Sequence, residues 1–542
     1  MTELVGHGGE LALASLRQHG VTELFTLSGG HIFPFYDAAV KGDPPVRIID
    51  VRHEQTATFA AEGLAKLTRR PGVAVLTAGP GVTNGVSAVT SAWFNGSPLV
   101  VLGGRAPQAR WGSGSLQEFD HVPVLQSITK SASTVGSTAA IPAAVHDAVR
   151  CALTPHRGPV FLDFPLDVVF GAGTTPAPVA EPPPRGQDPD PDDVARAADL
   201  IAGADRPALI AGTDVYWAGA WDELREMVEA LRVPTFVNGM GRGCLPADHE
   251  LAFTRTRGLL KGEADVVAVV GTPLDFRLSF GRFGSAKVVH IVDSAEGRAG
   301  HVTAEVSPAG DLRTILAAMA QHDGRRASHE PWIAHLRDAE DAARTADEPL
   351  LAADADPIRP TRIYGELRRR LDRDAVVVCD GGDFVSYAGK YLDSYEPGCW
   401  LDPGPYGCLG TGAGYAVAAR VAHPDRQVVV MLGDGAAGFS LMDADTLVRH
   451  ALPVVMIMGN NGIWGLEKHP MQAIYGYDVA ADLQAGCRYD EIVRVLGGAG
   501  ELVERPADLG PALDRAFAAG VPYLVNVLTD PTDAYPRSSN LG

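Results

Sequence analysis

Short runs of aliphatic, mostly β-branched residues recur along the chain, and nearly all end in glycine or a small polar residue. They are VAVLTAG (73–79), PLVVLGG (98–104) and PVFLDFP (159–165), then PALIAGT (207–213), VVAVVGT (266–272) and KVVHIVD (287–293). AVVVCDGG (375–382), QVVVMLGDG (427–435) and LPVVMIMGN (452–460) complete the series. Strands that are apolar throughout, rather than alternating, belong in sheets covered on both faces. Amphipathic helical stretches separate the runs, so the pattern predicts an α/β protein built from doubly wound parallel sheets.

At 542 residues the chain exceeds what one core organises. Two composition breaks divide it. GTTPAPVAEPPPRGQDPDPDD is too rich in proline and acid for a helix or central strand, and ADEPLLAADADPIRP (346–360) is a milder break. The expected domains are 1–175, 190–345 and 360–542. The first and last resemble each other, each reading strand, glycine turn, helix, strand, as a duplicated unit would. The net charge of −20 argues against nucleic-acid or anionic-membrane partners. Six scattered cysteines show no zinc spacing, the N-terminus has no signal-peptide pattern and no run approaches a membrane span. A cytoplasmic protein is expected.

Asp434 in the Gly433–Gly435 turn and Asn461 each follow an apolar strand, and a helical stretch joins those strands. If the strands are neighbours, a carboxylate and an amide oxygen converge at one sheet edge, with the backbone carbonyl of Ile463 two residues on. That is half of an octahedral oxygen shell for Mg²⁺, which commonly completes its coordination with water and phosphate. Gly433 and Gly435 would let a diphosphate approach the backbone closely. Asn460 reads instead as a turn former. Either fragment alone reads as an ordinary turn; it is the pair at this spacing that points to a ligand.

With these residues the chain resembles the thiamine-diphosphate (ThDP) enzymes, and the resemblance extends over all three blocks. It implies Mg²⁺ on Asp434, Asn461 and the Ile463 carbonyl, and a diphosphate pocket lined by Gly382, Asp383, Phe384, Gly433, Gly435 and Ala436. Glu54, in DVRHEQTATFAAEG, matches the catalytic glutamate that exchanges a proton with the aminopyrimidine ring. In PYGCLGTGAG, Leu409 takes the position that bends the cofactor and Gly407 that of the carbonyl holding its amino group. Thr77 and Asn84 of TAGPGVTNG match the loop on the pyrimidine side. The two half-sites lie in separate domains, so the resemblance implies a homodimer or homotetramer with active sites between subunits.

Two branches of the family compete. SLQEFDHVPVLQSITKSA and HIVDSAEGRAG are similar to acetolactate synthase, but Leu116 stands where that enzyme has phenylalanine. Its Met-Val-x-Gln-Trp run reads Leu466-Glu467-Lys468-His469-Pro470 here. The other branch holds the 2-hydroxyacyl-CoA lyases, oxalyl-CoA decarboxylases and benzaldehyde lyase; His31 of LSGGHIF and Gln117 match residues found there. The expected reaction is therefore reversible cleavage of a 2-hydroxyacyl-CoA thioester to formyl-CoA and an aldehyde or ketone, with Glu467 as the base for the substrate hydroxyl. The alternatives are an acetolactate synthase-like carboligase acting on pyruvate and a non-catalytic paralogue. Trp464, Leu116, Tyr535, Arg537 and Ser538 are further substrate candidates, the last three because arginine and hydroxyls suit a phosphorylated substrate. In the central domain Asp293 is placed to meet a ribose, Arg277 is retained and Pro273 replaces an arginine of nucleotide-binding relatives. These leave ADP open and disfavour FAD.

Overall fold

The computed structural model describes residues 3–177, 179, 181–324 and 327–535. Its apolar runs form three parallel sheets. In the N-terminal sheet the spatial order is Arg47–Asp50, Glu23–Thr26, Gly72–Leu76, Leu99–Arg105, Val160–Pro165 and Ser131–Thr134. The C-terminal sheet runs Trp400–Leu401, Val376–Asp380, Val428–Gly433, Val455–Asn460, Tyr523–Leu528 and Ala499–Val503. Numbered along the chain, both orders are 2-1-3-4-6-5. The duplication expected from the sequence is thus present in the topology, not only in the local pattern. The central sheet is different, ordered 3-2-1-4-5, from Ala252–Phe253 through Thr235–Val237, Pro207–Ala211 and Val266–Val270 to Lys287–Ile291. A separate two-stranded ribbon, Glu3–His7 against Ala172–Pro176, is antiparallel.

The second composition break is not a simple linker. Helix Glu330–Leu351 runs through most of its first half, Pro349 included, and crosses the expected 345 boundary. Pro349 has no N–H to give the Thr345 carbonyl four residues back, so the last turn of this helix forgoes one backbone hydrogen bond.

Helix Glu54–Thr68 joins the outer domains by lying along helix Thr411–Ala422. Glycines permit the close approach: a Cβ on Gly414 would sit 2.6 Å from that of Phe59, and one on Gly63 2.9 Å from that of Ala418. Lys66 is buried in this seam, 3.2 Å from Glu62 and 2.8 Å from the Tyr415 hydroxyl. At the helix start, Asp443 accepts from the Arg52 N–H at 2.8 Å and the Thr56 hydroxyl at 2.6 Å. All six cysteines are free, and no helix among the described residues is long and apolar enough to cross a membrane.

Candidate active site

Parallel α/β sheets present ligand crevices outside the carboxyl ends of their strands, where the strand order reverses. In this chain each of the three sheets carries a cavity at that point.

The C-terminal cavity, about 430 Å³, lies between the ends of Val376–Asp380 and Val428–Gly433. It is lined by Gly382, Asp383, Phe384, Gly407, Leu409, Gly433, Asp434, Gly435, Ala436, Asn461, Ile463, Trp464 and Glu467. All of these were singled out in the sequence. The strands carrying Asp434 and Asn461 are direct neighbours, with Gly433 opposite Gly459. Asp434 accepts from the Gly462 N–H at 2.8 Å and from its neighbour Gly435 at 3.2 Å, tying the two strand ends together. Burial pushes the Asp434 carboxyl up to about 6, against the backbone N–H groups that hold it down. Asn461 accepts from the Ile463 N–H at 3.2 Å. Asn460, buried, donates to the Cys487 carbonyl and Asn526 at 3.0 Å each, and so holds the turn.

The cradle suits a diphosphate with a hard dication. Carboxylate, amide and backbone carbonyl oxygens form an all-oxygen donor set. Gly382 and Gly407, both at positive φ, would carry a Cβ into open space. Helix Gly382–Tyr391 begins at the cavity, where its first N–H groups favour an anion. Phe384 lines the cavity as expected; the residue is 4% exposed and its ring packs over Gly459.

The N-terminal cavity, about 540 Å³, is lined by Gly29, Gly30, His31, Thr77, Leu116 and Gln117 among others. His31 is buried and lies 3.4 Å from the Thr77 hydroxyl. Burial holds its imidazole below the ordinary value, opposed by a hydrogen bond to the Leu116 backbone. Gln117 has φ +59 and belongs to a loop. Leu116 is 78% exposed. Glu54 opens helix Glu54–Thr68, is 6% exposed, and accepts from Asn84 Nδ2 at 2.9 Å. Within one chain, the cavity around Asp434 and the cavity around Thr77 share no lining residue.

The central crevice is about 100 Å³, too small for an adenine nucleotide. The Asp293 carboxylate, expected to meet a ribose, instead takes His156 of the N-terminal domain at 3.2 Å. ADP, left open by the sequence, gains no support from this crevice.

Three lining residues of the C-terminal cavity come from the central domain, Asn238, Phe276 and Arg277. Arg277 had been read toward a nucleotide; Asn238 and Phe276 had not been noticed. Asn238 follows the strand Thr235–Val237 directly, the same signal that marked Asp434 and Asn461, and its buried Nδ2 has no hydrogen-bond partner among the described residues. Arg277 is gripped by Asp275 through contacts of 2.7 to 3.1 Å. Tyr535 packs edge-on against Tyr387 at 4.9 Å and is not among the lining residues; Arg537 and Ser538 lie outside the described residues. Lys468, adjacent to Glu467, is engaged by Asp478 and Asp482.

These two half-sites define a thiamine pyrophosphate enzyme, and the chain belongs to that family. The models of the thiamine pyrophosphate enzyme N-terminal TPP binding domain, central domain and C-terminal TPP binding domain match residues 6–124, 194–319 and 380–527. Among similar proteins are a "probable acetolactate synthase" of Mycobacterium bovis and the "acetolactate synthase large subunit IlvG" of Mycobacterium tuberculosis. Each is 52% identical over 540 residues, covering 99% of this chain and 98% of the relative. A "2-hydroxyacyl-CoA lyase 2" of Caenorhabditis elegans is 34% identical over 579 residues, covering 97% and 90%.

Proposed function

We propose that this chain is a ThDP- and Mg²⁺-dependent carboligase of the acetolactate synthase type, taking pyruvate or a similar small 2-oxo acid. The observation that carries the reading is the 52% identity, end to end, to proteins bearing that name. It reverses the order expected from the sequence, where the lyase came first. The cavity is compatible with it: Arg277 and the Asn238 amide place donors for a small carboxylate on one wall.

When bound, ThDP supplies a nucleophilic ring carbon and an electron sink for the carbonyl carbon it attacks. Asp434, Asn461 and the Ile463 carbonyl would hold Mg²⁺ and through it the diphosphate. Glu54 takes and returns a proton at its carboxylate, held in place by Asn84. Leu409 and Ala436 add apolar wall to the cavity and would keep water from a carbon reacting there. The separate cavities support a site closed between two copies of the chain, the Glu54 half facing the Asp434 half of a partner. Mixing the inactive variants Glu54→Gln and Asp434→Ala should then restore about a quarter of wild-type activity, since half of randomly mixed dimers are hybrids with one intact site.

A second reading, cleavage of a 2-hydroxyacyl-CoA, is favoured by the Glu467 carboxylate on the cavity wall. Purified protein with ThDP and Mg²⁺ is given pyruvate alone, then a chain-length panel of 2-hydroxyacyl-CoA thioesters. Acetolactate from pyruvate supports the proposal. Formyl-CoA and an aldehyde from the thioesters, without acetolactate, overturns it in favour of the lyase. Glu467→Ala should abolish lyase turnover and spare carboligation.

A further inference from the structure

A buried polar chain lies behind the N-terminal half-site. His121, fully buried, accepts from the Gly79 N–H through Nε2 at 2.9 Å. Its single N–H is thereby placed on Nδ1, which faces Asp163 at 3.1 and 3.2 Å. Asp163, also fully buried, is paired on its other side with Arg105 at 2.6 Å. The rings of Phe119 and Phe161 meet the imidazole edge-on, so its orientation is set by both packing and hydrogen bonds.

Gly79 caps the short helix Pro80–Asn84, its carbonyl accepting from the Thr83 N–H at 3.1 Å. The last residue of that helix, Asn84, donates to Glu54, and a Cβ on Gly81 would lie 3.6 Å from the other Glu54 oxygen. Gly79 has φ +62, and a Cβ there would come within 2.9 Å of Gln117. The turn is thus pinned from behind by one imidazole nitrogen and faces Glu54 in front.

We propose that His121 is a positioning residue for Glu54, acting through the Gly79 N–H and the Pro80–Asn84 turn, with Asp163 and Arg105 fixing its tautomer. The inference rests on the reading of Glu54 as the proton-transferring carboxyl. A buried donor left without its acceptor costs what buried unsatisfied groups cost, and small displacements of a catalytic group lower turnover more than substrate binding.

Two variants separate the ends of the ring. The amide of His121→Gln reaches Gly79; that of His121→Asn reaches Asp163 but stops short of Gly79. Both remove ring volume, so a shared loss reports packing and only their difference reports the hydrogen bond. Hydrogen–deuterium exchange of residues 77–84 in the cofactor-free protein should accelerate about tenfold or more in His121→Asn and stay within about twofold of wild type in His121→Gln. In the loaded enzyme kcat should fall about tenfold in His121→Asn alone, with KM little changed. Equal exchange in the two variants, or unchanged exchange in His121→Asn, overturns the proposal. Should the exchange difference appear while Glu54→Gln remains active, the assignment of Glu54 fails and its coupling to His121 through the turn stands.

Discussion

Glu54 is held by the end of a turn rather than by an ion pair. One carboxylate oxygen accepts from Asn84 and the other lies beside Gly81, leaving the group available for proton exchange. Glu54→Gln preserves shape and burial but cannot carry a proton. Its kcat should fall by about 10² to 10⁴, the usual worth of a positioned acid–base group, with ThDP affinity by calorimetry within about threefold of wild type. Full activity would remove Glu54 from the chemistry. Glu54 was reached through its match to a family motif at the start of a helical pattern, since its partner Asn84 lies 30 residues away. His121 was not, although it lies in a stretch that attracted attention, because its partners are 42 residues away in either direction.

The strand pair Val428–Gly433 and Val455–Asn460 shows how an element sets a site. Apolar residues bury both faces, and the chain changes to Gly, Asp and Asn where the sheet ends, so the oxygen ligands emerge together from adjacent strands. The Phe384 ring packs over Gly459 near the end of this strand pair. A Cβ on Gly459 would sit 1.5 Å from that ring, whereas one on Gly433 would sit 3.6 Å away. Gly459→Ala should therefore lose about 1–3 kcal/mol to overpacking, and Gly433→Ala should unfold close to wild type in urea titrations. Equal stabilities would mean that the ring yields freely.

Across the molecule, the outer domains meet along the helix Glu54–Thr68 among other contacts, and His156 is one of the places where the N-terminal domain meets the central one. Its imidazole lies 3.2 Å from Asp293 and 3.6 Å from Asp214, with Lys130 and Arg157 also contributing charge. Burial pulls His156 down, but the two carboxylates reverse this and hold it at about 9. A histidine raised in the folded state contributes fully below its unfolded value near 6.5 and loses that contribution as pH rises through about 9. Wild-type Tm should therefore decline between about pH 6.5 and 9 by more than that of His156→Asn, which should also be the less stable variant at pH 6.5. Parallel profiles in a thermal-shift series would show that the contact does not couple the domains.

The amino-acid sequence alone pointed to the three parallel sheets, the duplicated outer units, the ThDP family and many of the residues that line the C-terminal cavity. Those features are local: apolar strands, glycine turns and polar strand ends can be read within about ten residues. Tertiary structure alone decided that Asn238 and Arg277 of the central domain wall the C-terminal cavity, and that His156 meets Asp293 across 137 residues of sequence. It also decided that His121 stands behind the turn facing Glu54. Such contacts depend on how whole domains and distant loops dock, and no periodicity or spacing along the chain records that.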